Sequence, residues 1–205
     1  MSFAAALSSL GVSKRREAPA DAQERARLFE DLLRNHEEQL YRIAYRLAGN
    51  RDDAQDLVQY SVIEALRSFG KFQIGTRFDR WMQRIITNNF IDQQRARSHV
   101  RLESLDQPRG GSEDDGRTIE VPDVSGDPAH VIEEQEFDEP VQRALDALPA
   151  EYRAVVVLSD VEGYTYEDIA RTLGVPIGTV RSRLNRGRNL LRKQLADYAR
   201  ERYGL

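Results

Sequence analysis

Apolar residues recur at alternating steps of three and four in two separate stretches of the chain, which is the period of amphipathic helices. The pattern predicts helices over residues 26–47, 51–69, 78–100, 136–148 and 150–161, and two more between 165 and 195. The β-branched run within 150–161 also suits a strand. No other part of the chain offers a partner strand, so we predict a helix there.

Two other stretches show no such period. We predict that residues 1–25 form a mobile tail. The alternative is an amphipathic helix that binds a partner. Residues 101–135 are rich in Gly, Pro, Ser, Asp and Glu and predict a flexible acidic linker. The expected fold is therefore all-α, with two small helical domains at 26–100 and 136–205 joined by that linker.

Residues 165–195 have the internal spacing of a helix-turn-helix. Thr165 suits an N-cap, with Asp168 three residues later in the spacing of a capping box. Gly174 then ends the first helix, because glycine takes a left-handed backbone without penalty. Ala170 is small enough for the two helices to approach closely, and Val180 locks the second helix onto the first.

The outer face of the second helix is basic. Between Ile177 and Lys193 there are six basic residues and no acidic residue. The polar positions are Thr179, Arg181, Ser182, Arg183, Asn185, Arg186, Arg188, Arg192 and Lys193. Arginine and asparagine read base edges and phosphates in a major groove, so this face predicts a DNA-reading helix. A solvated surface helix or a partner-binding helix is the alternative.

The charge of the chain is unevenly distributed. The net charge is −4, but residues 101–140 alone carry −10, so the remainder carries +6 and suits a nucleic-acid partner. The chain has no cysteine, which excludes disulfides and thiolate metal sites and fits a cytoplasmic protein. Its three histidines are scattered, so we expect no catalytic residue, metal or cofactor. No apolar run is long enough to insert into a membrane.

The helix at 51–69 has an apolar inner stripe that includes Ala54, Leu57 and Val58. Its other face carries Asp53, Asp56, Gln59, Tyr60 and Glu64. This acidic face is either solvated or a docking face for a basic partner. Trp81, in the helix at 78–100, either packs in the core or stacks on a base.

Three segments together resemble a bacterial sigma factor of the sigma-70 family, in the short two-domain form of the extracytoplasmic-function group. They are DAQDLVQYSVIEAL at 53–66, RFDRWMQRIITNNFIDQQR at 77–95 and LPAEYRAVVVLSDVEGYTYEDIARTLGVPIGTVRSRLNRGRNLLRKQL at 148–195. The resemblance implies a protein that binds the core of bacterial RNA polymerase and melts and reads promoters. It also implies control by an anti-sigma protein. The acidic linker would then run through polymerase channels that later hold RNA.

The resemblance also implies roles for individual residues. The candidates for contact with core polymerase are Asp53, Asp56, Leu57, Gln59 and Tyr60, where the family often has an acidic residue in place of Tyr60. The candidates for the minus-ten element are Gln73, Ile74, Gly75, Thr76 and Asn88 around a flipped base, with Arg84, Arg95 and Arg97 on phosphates. For the minus-thirty-five element, Arg181, Ser182, Asn185 and Arg186 would face the groove, and Thr179, Arg183 and Arg188 would touch phosphate.

Two other functions also fit parts of the sequence. An ordinary helix-turn-helix regulator would explain residues 165–195 equally well, but it should bind a duplex tightly without polymerase. An adaptor that uses its helices only for protein contacts should keep its function after Arg181→Glu and Arg186→Glu. An enzyme has almost no support in the residues.

Overall fold

The computed structural model describes residues 20–106 and 138–204, and every regular element in these two ranges is helical, which confirms the all-α prediction. The helices are α1 Ala20–Ala48, α2 Arg51–Ser68, α3 Phe78–Asp106, α4 Glu139–Asp146, α5 Ala150–Val156, α6 Tyr166–Leu173, α7 Ile177–Gln194 and α8 Ala196–Tyr203. A 3-10 turn at Phe69–Lys71 follows α2, and a π turn at Val157–Val161 follows α5. The predicted tail up to residue 19 and the predicted linker from residue 107 lie outside the described residues.

Two helices are longer than their apolar period indicates. α1 begins at Ala20 rather than at residue 26, and α3 continues to Asp106 rather than ending at residue 100. The added segments, ADAQER and RLESLD, contain neither glycine nor proline, so nothing in them stops a helix. The first helix breaker after α3 is Pro108. The short helix α8 was not predicted.

Helices α1, α2 and α3 form the first unit around an apolar core. Phe29, Ile43, Met82 and Phe90 are almost completely buried there, on the faces that the sequence period assigns to the interior. The Asn50 side chain accepts a hydrogen bond from the Asp53 backbone N–H at 2.9 Å. Asn50 therefore caps the start of α2.

Helices α4 to α8 form the second unit, which contains the predicted helix-turn-helix. The Thr165 hydroxyl accepts from the Asp168 N–H at 3.1 Å, and Gly174 has a φ of +63°. The N–H of Val175 donates to the Ala170 carbonyl at 3.1 Å and closes the helix end. Val180 of α7 is completely buried, in the same core cluster as Ile169 of α6. The predicted cap, turn and helix pair are thus all present, and residues 150–161 are helical rather than a strand.

The second unit packs against the C-terminal end of α1. The buried guanidinium of Arg153 donates to the Leu47 carbonyl at 2.5 Å and lies 5.5 Å from the Phe90 ring centroid. The Gln142 amide donates to the Arg46 carbonyl at 3.4 Å. The last carbonyls of a helix lack partners within the helix. Here the second unit supplies donors for them.

Gly49 joins α1 to α2 with a φ of +89°, and a Cβ at this position would overlap the Asp146 carboxylate. We expect Gly49→Ala to destabilise the protein by about 1–2 kcal/mol, because an L-residue in the left-handed region costs that much. In a chain of this size, the thermal midpoint should fall by roughly 2–8 °C. The matched control is Gly70→Ala, since Gly70 has no positive φ and nothing within 4 Å of its Cβ position. Equal midpoints for the two variants in a circular-dichroism melt would contradict this account.

Candidate nucleic-acid interface

The solvent face of α7 presents four of the predicted base-reading side chains. They are Arg181, Ser182, Asn185 and Arg186, and all four are exposed. Among the described residues Arg181 makes no hydrogen bond or ion pair, and Arg186 makes only a 3.4 Å contact with the Tyr152 hydroxyl. These two arginines are therefore available to a ligand. A helix that projects exposed arginine and asparagine side chains fits the major groove.

Two further arginines of α7 are already bound to carboxylates. Arg183 donates to Glu151 of α5 at 2.7 Å and is only 16% exposed. Arg188 donates to both oxygens of Asp160, at 2.6 and 3.0 Å, and this hydrogen bonding raises the pKa of Arg188. Thr179, near the start of α7, is half-buried. Arg183 and Arg188 would have to release these carboxylates before they could bind phosphate.

The loop between the 3-10 turn and α3 exposes all four predicted base-contacting residues, Gln73, Ile74, Gly75 and Thr76. The Thr76 N–H and hydroxyl both donate to the Gln73 carbonyl, at 3.2 and 2.7 Å, which closes a tight turn. Gly75 takes a φ of +90° within it, and Ile74 is 58% exposed. The turn thus holds an apolar side chain and an open backbone out towards solvent.

Aromatic side chains pack together at both ends of this loop. This packing was not predicted from the sequence. The Phe72 and Phe78 rings meet edge to face with centroids 5.6 Å apart, and Trp81 lies 5.0 Å from Phe72. Phe69 stacks on Phe72 at 5.6 Å. The sequence signal is an aromatic residue at each boundary of a glycine-containing loop. Trp81 is partly buried in this cluster, so most of its surface packs on protein.

The predicted minus-ten residues of α3, Asn88 for the flipped base and three arginines for phosphates, have different surroundings. Arg84 is exposed, with no hydrogen bond or ion pair among the described residues. The Asn88 amide donates to the Thr172 carbonyl of α6 at 3.2 Å, and Arg95 donates to Glu151 at 2.7 Å. Arg97 donates to Asp53 of α2 at 2.8 Å. Asn88 and Arg95 therefore already bind the second helical unit.

A cleft of about 470 Å³ opens between the two units beside Arg84. Arg80, which the sequence analysis did not single out as a site residue, lies in it with its guanidinium 3.7 Å from the Tyr164 ring centroid. Burial raises the pKa of Tyr164 to about 12, so its hydroxyl stays protonated at neutral pH. Trp81 also lines this cleft, which is thus basic and aromatic.

On α2, the predicted docking face is largely accessible. Asp56, Gln59 and Tyr60 are exposed, and Tyr60 shows 56% of its surface. Asp53 is half-buried, and its hydrogen bond from Arg97 lowers the pKa of its carboxyl, so it stays ionised. The face therefore combines negative charge with an aromatic ring.

The docking face differs from the prediction at two positions, Leu57 and Ile63. Leu57 is only 1% exposed and packs in the core, so its side chain is not available to a partner. Ile63, which was not predicted, is 37% exposed and lies one turn beyond Tyr60 on the same side of α2. Leu66, 41% exposed, extends the same apolar stripe. The docking face as the structure presents it is Asp56, Gln59, Tyr60, Ile63 and Leu66.

No helix in the described part of the chain combines the length and apolar content that crossing a bilayer requires.

Two family descriptions match the chain, sigma-70 region 2 at residues 32–100 and sigma-70 region 4 at residues 138–191. These are the two helical units.

Several curated proteins are similar over most of the chain. The ECF RNA polymerase sigma factor SigE of Mycolicibacterium smegmatis is 44% identical, over 84% of this chain and 63% of SigE. SigW of Bacillus subtilis, another ECF sigma factor, is 33% identical over 82% of this chain and 89% of SigW. SigM of Mycobacterium tuberculosis is 37% identical over 82% of this chain and 76% of SigM.

Two solved structures share the fold. The sigma factor RpoE in complex with the anti-sigma factor NepR, from Bartonella quintana, has a TM-score of 0.53 and 25% identity, over 87% of this chain and 98% of that one. CnrH, in complex with the cytosolic domain of CnrY, has a TM-score of 0.53 and 24% identity, over 86% of this chain and 95% of that one. Both sigma-70 regions occur in order along one chain, and relatives such as SigW are matched over most of their length. This protein therefore belongs to the ECF sigma factors of the sigma-70 family.

Proposed function

We propose that the protein is an alternative sigma factor. It binds the core of bacterial RNA polymerase, recognises and melts specific promoters, and initiates transcription in the cytoplasm. The polymerase carries out all the chemistry, so the chain needs no cofactor and no catalytic residue of its own.

The proposal rests on one observation: a single chain has two surfaces suited to nucleic acid and a third face suited to a protein partner. The free arginines of α7 form the first surface, and the loop at 72–77 with the basic side of α3 forms the second. The third is the exposed acidic and apolar face of α2. A factor that must position a polymerase at two separate DNA elements needs these three surfaces.

The two DNA surfaces divide the recognition between them. Helix α7 would read the minus-thirty-five element through Arg181, Asn185 and Arg186. The loop would receive an unpaired base of the minus-ten element, with Ile74 as an apolar wall and Gly75 allowing close backbone approach. Extruding a base costs a few kcal/mol, which contacts to the unpaired base offset. Melting therefore needs binding energy and no hydrolysis.

The proposed docking face for the polymerase is the exposed side of α2. Asp56 and Gln59 offer polar contacts, and Tyr60 and Ile63 offer apolar surface at the centre. We leave Leu57 out of this face, because its side chain contributes to the core.

We also propose that a dedicated anti-sigma protein controls this factor and releases it under stress. The structure of RpoE with the anti-sigma factor NepR supports this proposal by similarity of fold. The chain contains no cysteine, so any thiol-based sensing of the stress would belong to the partner.

Run-off transcription tests the proposed function. Purified protein is combined with bacterial core polymerase and a library of upstream fragments from its own genome. We expect specific start sites that appear only when both proteins are present. If the protein binds fragments tightly alone, and core polymerase with it starts nowhere specific, the chain is a helix-turn-helix regulator instead.

An adaptor is tested separately, with the pair of charge reversals Arg181→Glu and Arg186→Glu. These should abolish specific initiation while leaving binding to core polymerase unchanged, because both side chains project from α7 into solvent. An adaptor would retain its activity in this double variant.

A further inference from the structure

The cleft between the two helical units has walls of arginine and aromatic side chains, and its volume is about 470 Å³. Pockets that bind small ligands measure about 300–1,000 Å³. Both units contribute to the lining, with Arg77, Arg80, Trp81 and Arg84 from the first and Tyr164 and Arg171 from the second. A ligand in this cleft would therefore contact both units at once.

Two arginines of the cleft have no carboxylate partner among the described residues. Arg84 is exposed and makes neither a hydrogen bond nor an ion pair there. Arg80, one turn earlier on the same side of α3, is half-buried, and its guanidinium lies against the Tyr164 ring rather than against a carboxylate. Guanidinium groups that no protein carboxylate balances favour an anionic ligand, and they bind phosphate through paired hydrogen bonds.

The other two arginines lie at the rim of the cleft, where their side chains are 68% exposed in Arg77 and 77% exposed in Arg171. Arg77 donates to the buried Asp79 at 2.5 and 3.1 Å. Arg171 pairs with Asp168, which also lines the cleft and is 40% exposed. Because an exposed pair contributes little to stability, Arg171 can turn to another anion at small cost.

The inner wall of the cleft is aromatic. Tyr164 is buried, and its hydroxyl donates to Gln83 at 2.6 Å, so the part of Tyr164 that remains for the cleft is its ring. The Arg80 guanidinium lies 3.7 Å from the centroid of that ring, and the half-buried Trp81 lines the cleft next to it. Nucleobases stack on aromatic rings and on guanidinium planes. An aromatic wall inside and arginines at the rim match a base joined to phosphates.

A hydrogen bond between the two units favours a single nucleotide over a nucleic-acid strand. Asn88, one turn after Arg84, donates to the Thr172 carbonyl of α6 at 3.2 Å, and Thr172 lines the cleft. This bond joins the units one turn beyond Arg84, where a continuing strand would have to pass. A single nucleotide can occupy the cleft without breaking it.

We propose that this cleft binds a nucleoside di- or triphosphate. The base lies against Trp81 and the Arg80 guanidinium, and the phosphates bind Arg84 and Arg171. A ligand that contacts both units stabilises their packing against each other. This site goes beyond the proposed function and does not depend on it, because nucleotide binding is measured on the free protein.

The test is isothermal titration calorimetry of the whole chain with ADP in magnesium-free buffer. Trp81, the single tryptophan of the chain, provides a second readout. We expect saturable binding, a change in Trp81 emission, and a thermal midpoint about 5–10 °C higher at about 100 times the dissociation constant. Adenosine and pyrophosphate each carry only one part of the ligand, so each should bind at least about tenfold more weakly than ADP.

Arg84→Ala should weaken ADP binding by about tenfold or more, the effect of losing a hydrogen bond between charged groups. Because Arg84 is exposed, the variant should melt at the parent temperature when ADP is absent. The matched control is Arg202→Ala, which removes the same charge from an exposed residue of α8 that does not line the cleft. It should leave ADP binding unchanged.

The nucleotide site is overturned if ADP shows no saturable binding up to millimolar concentrations. Equal losses in Arg84→Ala and Arg202→Ala would also overturn it, since the attraction would then reflect net charge alone. Pyrophosphate that binds as tightly as ADP would mean an anion site without a base site. A short single-stranded oligonucleotide that requires Arg84 where ADP does not bind would assign the cleft to the minus-ten surface instead. None of these results bears on the proposed function, which run-off transcription tests.

Discussion

Replacing Ile63 by glutamate is expected to weaken binding to core polymerase by about 30-fold or more, the effect of losing an interface hot spot worth about 2 kcal/mol. Ile63 lies beside Tyr60 on the exposed face of α2, where both side chains offer apolar surface with no packing role in the core. A charge at the centre of a docking face must be desolvated without a partner, which adds to the loss of apolar contact. The affinity is measured by fluorescence anisotropy of labelled protein titrated with core polymerase.

The control for this prediction is Tyr203→Glu, which introduces the same charge at an apolar residue of α8 that is 67% exposed. It should leave the affinity for core polymerase unchanged. Both variants should melt at the parent temperature, because neither side chain is buried. Core binding of Ile63→Glu within about threefold of the parent would remove this face of α2 from the proposed docking site.

Ile63 and Leu57 also show where reasoning from sequence succeeded and where it did not. The apolar period of α2 placed Leu57 on the inner stripe, and the structure buries it there. The resemblance to the sigma family instead placed Leu57 among the polymerase contacts and passed over Ile63. At these positions the period was the better guide, because burial follows from helical geometry.

Local features of the chain could be predicted because their causes lie within a few residues. The Thr165 cap depends on Asp168 three positions later, and the turn depends on the left-handed backbone of Gly174. The helix over 150–161 followed from the absence of any strand to pair with it. For the cap and the turn, the sequence contains both the cause and its partner within a few residues.

The hydrogen bonds between the two helical units could not be predicted from such local features. Arg46 and Glu162 are 116 positions apart, and Gln83 and Tyr164 are 81 apart. Each of these side chains could equally have been a solvated polar residue on its own helix. Their pairing depends on how two units pack, which the helical period of neither unit encodes.

The same limit applies to the arginines of α7. The resemblance to the sigma family assigned Arg183 and Arg188 to phosphate contacts. The structure shows that Glu151 and Asp160, which belong to the same helical unit, hold these two side chains. Among the α7 arginines predicted to contact DNA, Arg181 and Arg186 are the two without a carboxylate partner, which makes them the stronger candidates for reading bases.

Replacing Arg181 by alanine is expected to lower initiation from promoters with the preferred minus-thirty-five element by roughly 5- to 150-fold, the range for loss of a bidentate base contact. The affinity of the factor for core polymerase should not change, because α7 lies in the other helical unit from α2. The measurement is run-off transcription on a preferred promoter and on versions altered at single minus-thirty-five positions. The loss should be concentrated on the preferred sequence.

Arg192→Ala provides the matched control for Arg181→Ala. Arg192 is exposed on the same helix about three turns further on, on the same side of α7. A residue there that only meets the phosphate backbone should weaken every promoter alike and reduce the salt dependence of binding. If Arg181→Ala shows that uniform pattern too, Arg181 binds phosphate, and the base reading must come from Asn185 and Arg186. If Arg181→Ala instead removes the preference for one base at a single position of the minus-thirty-five element, Arg181 reads the base at that position.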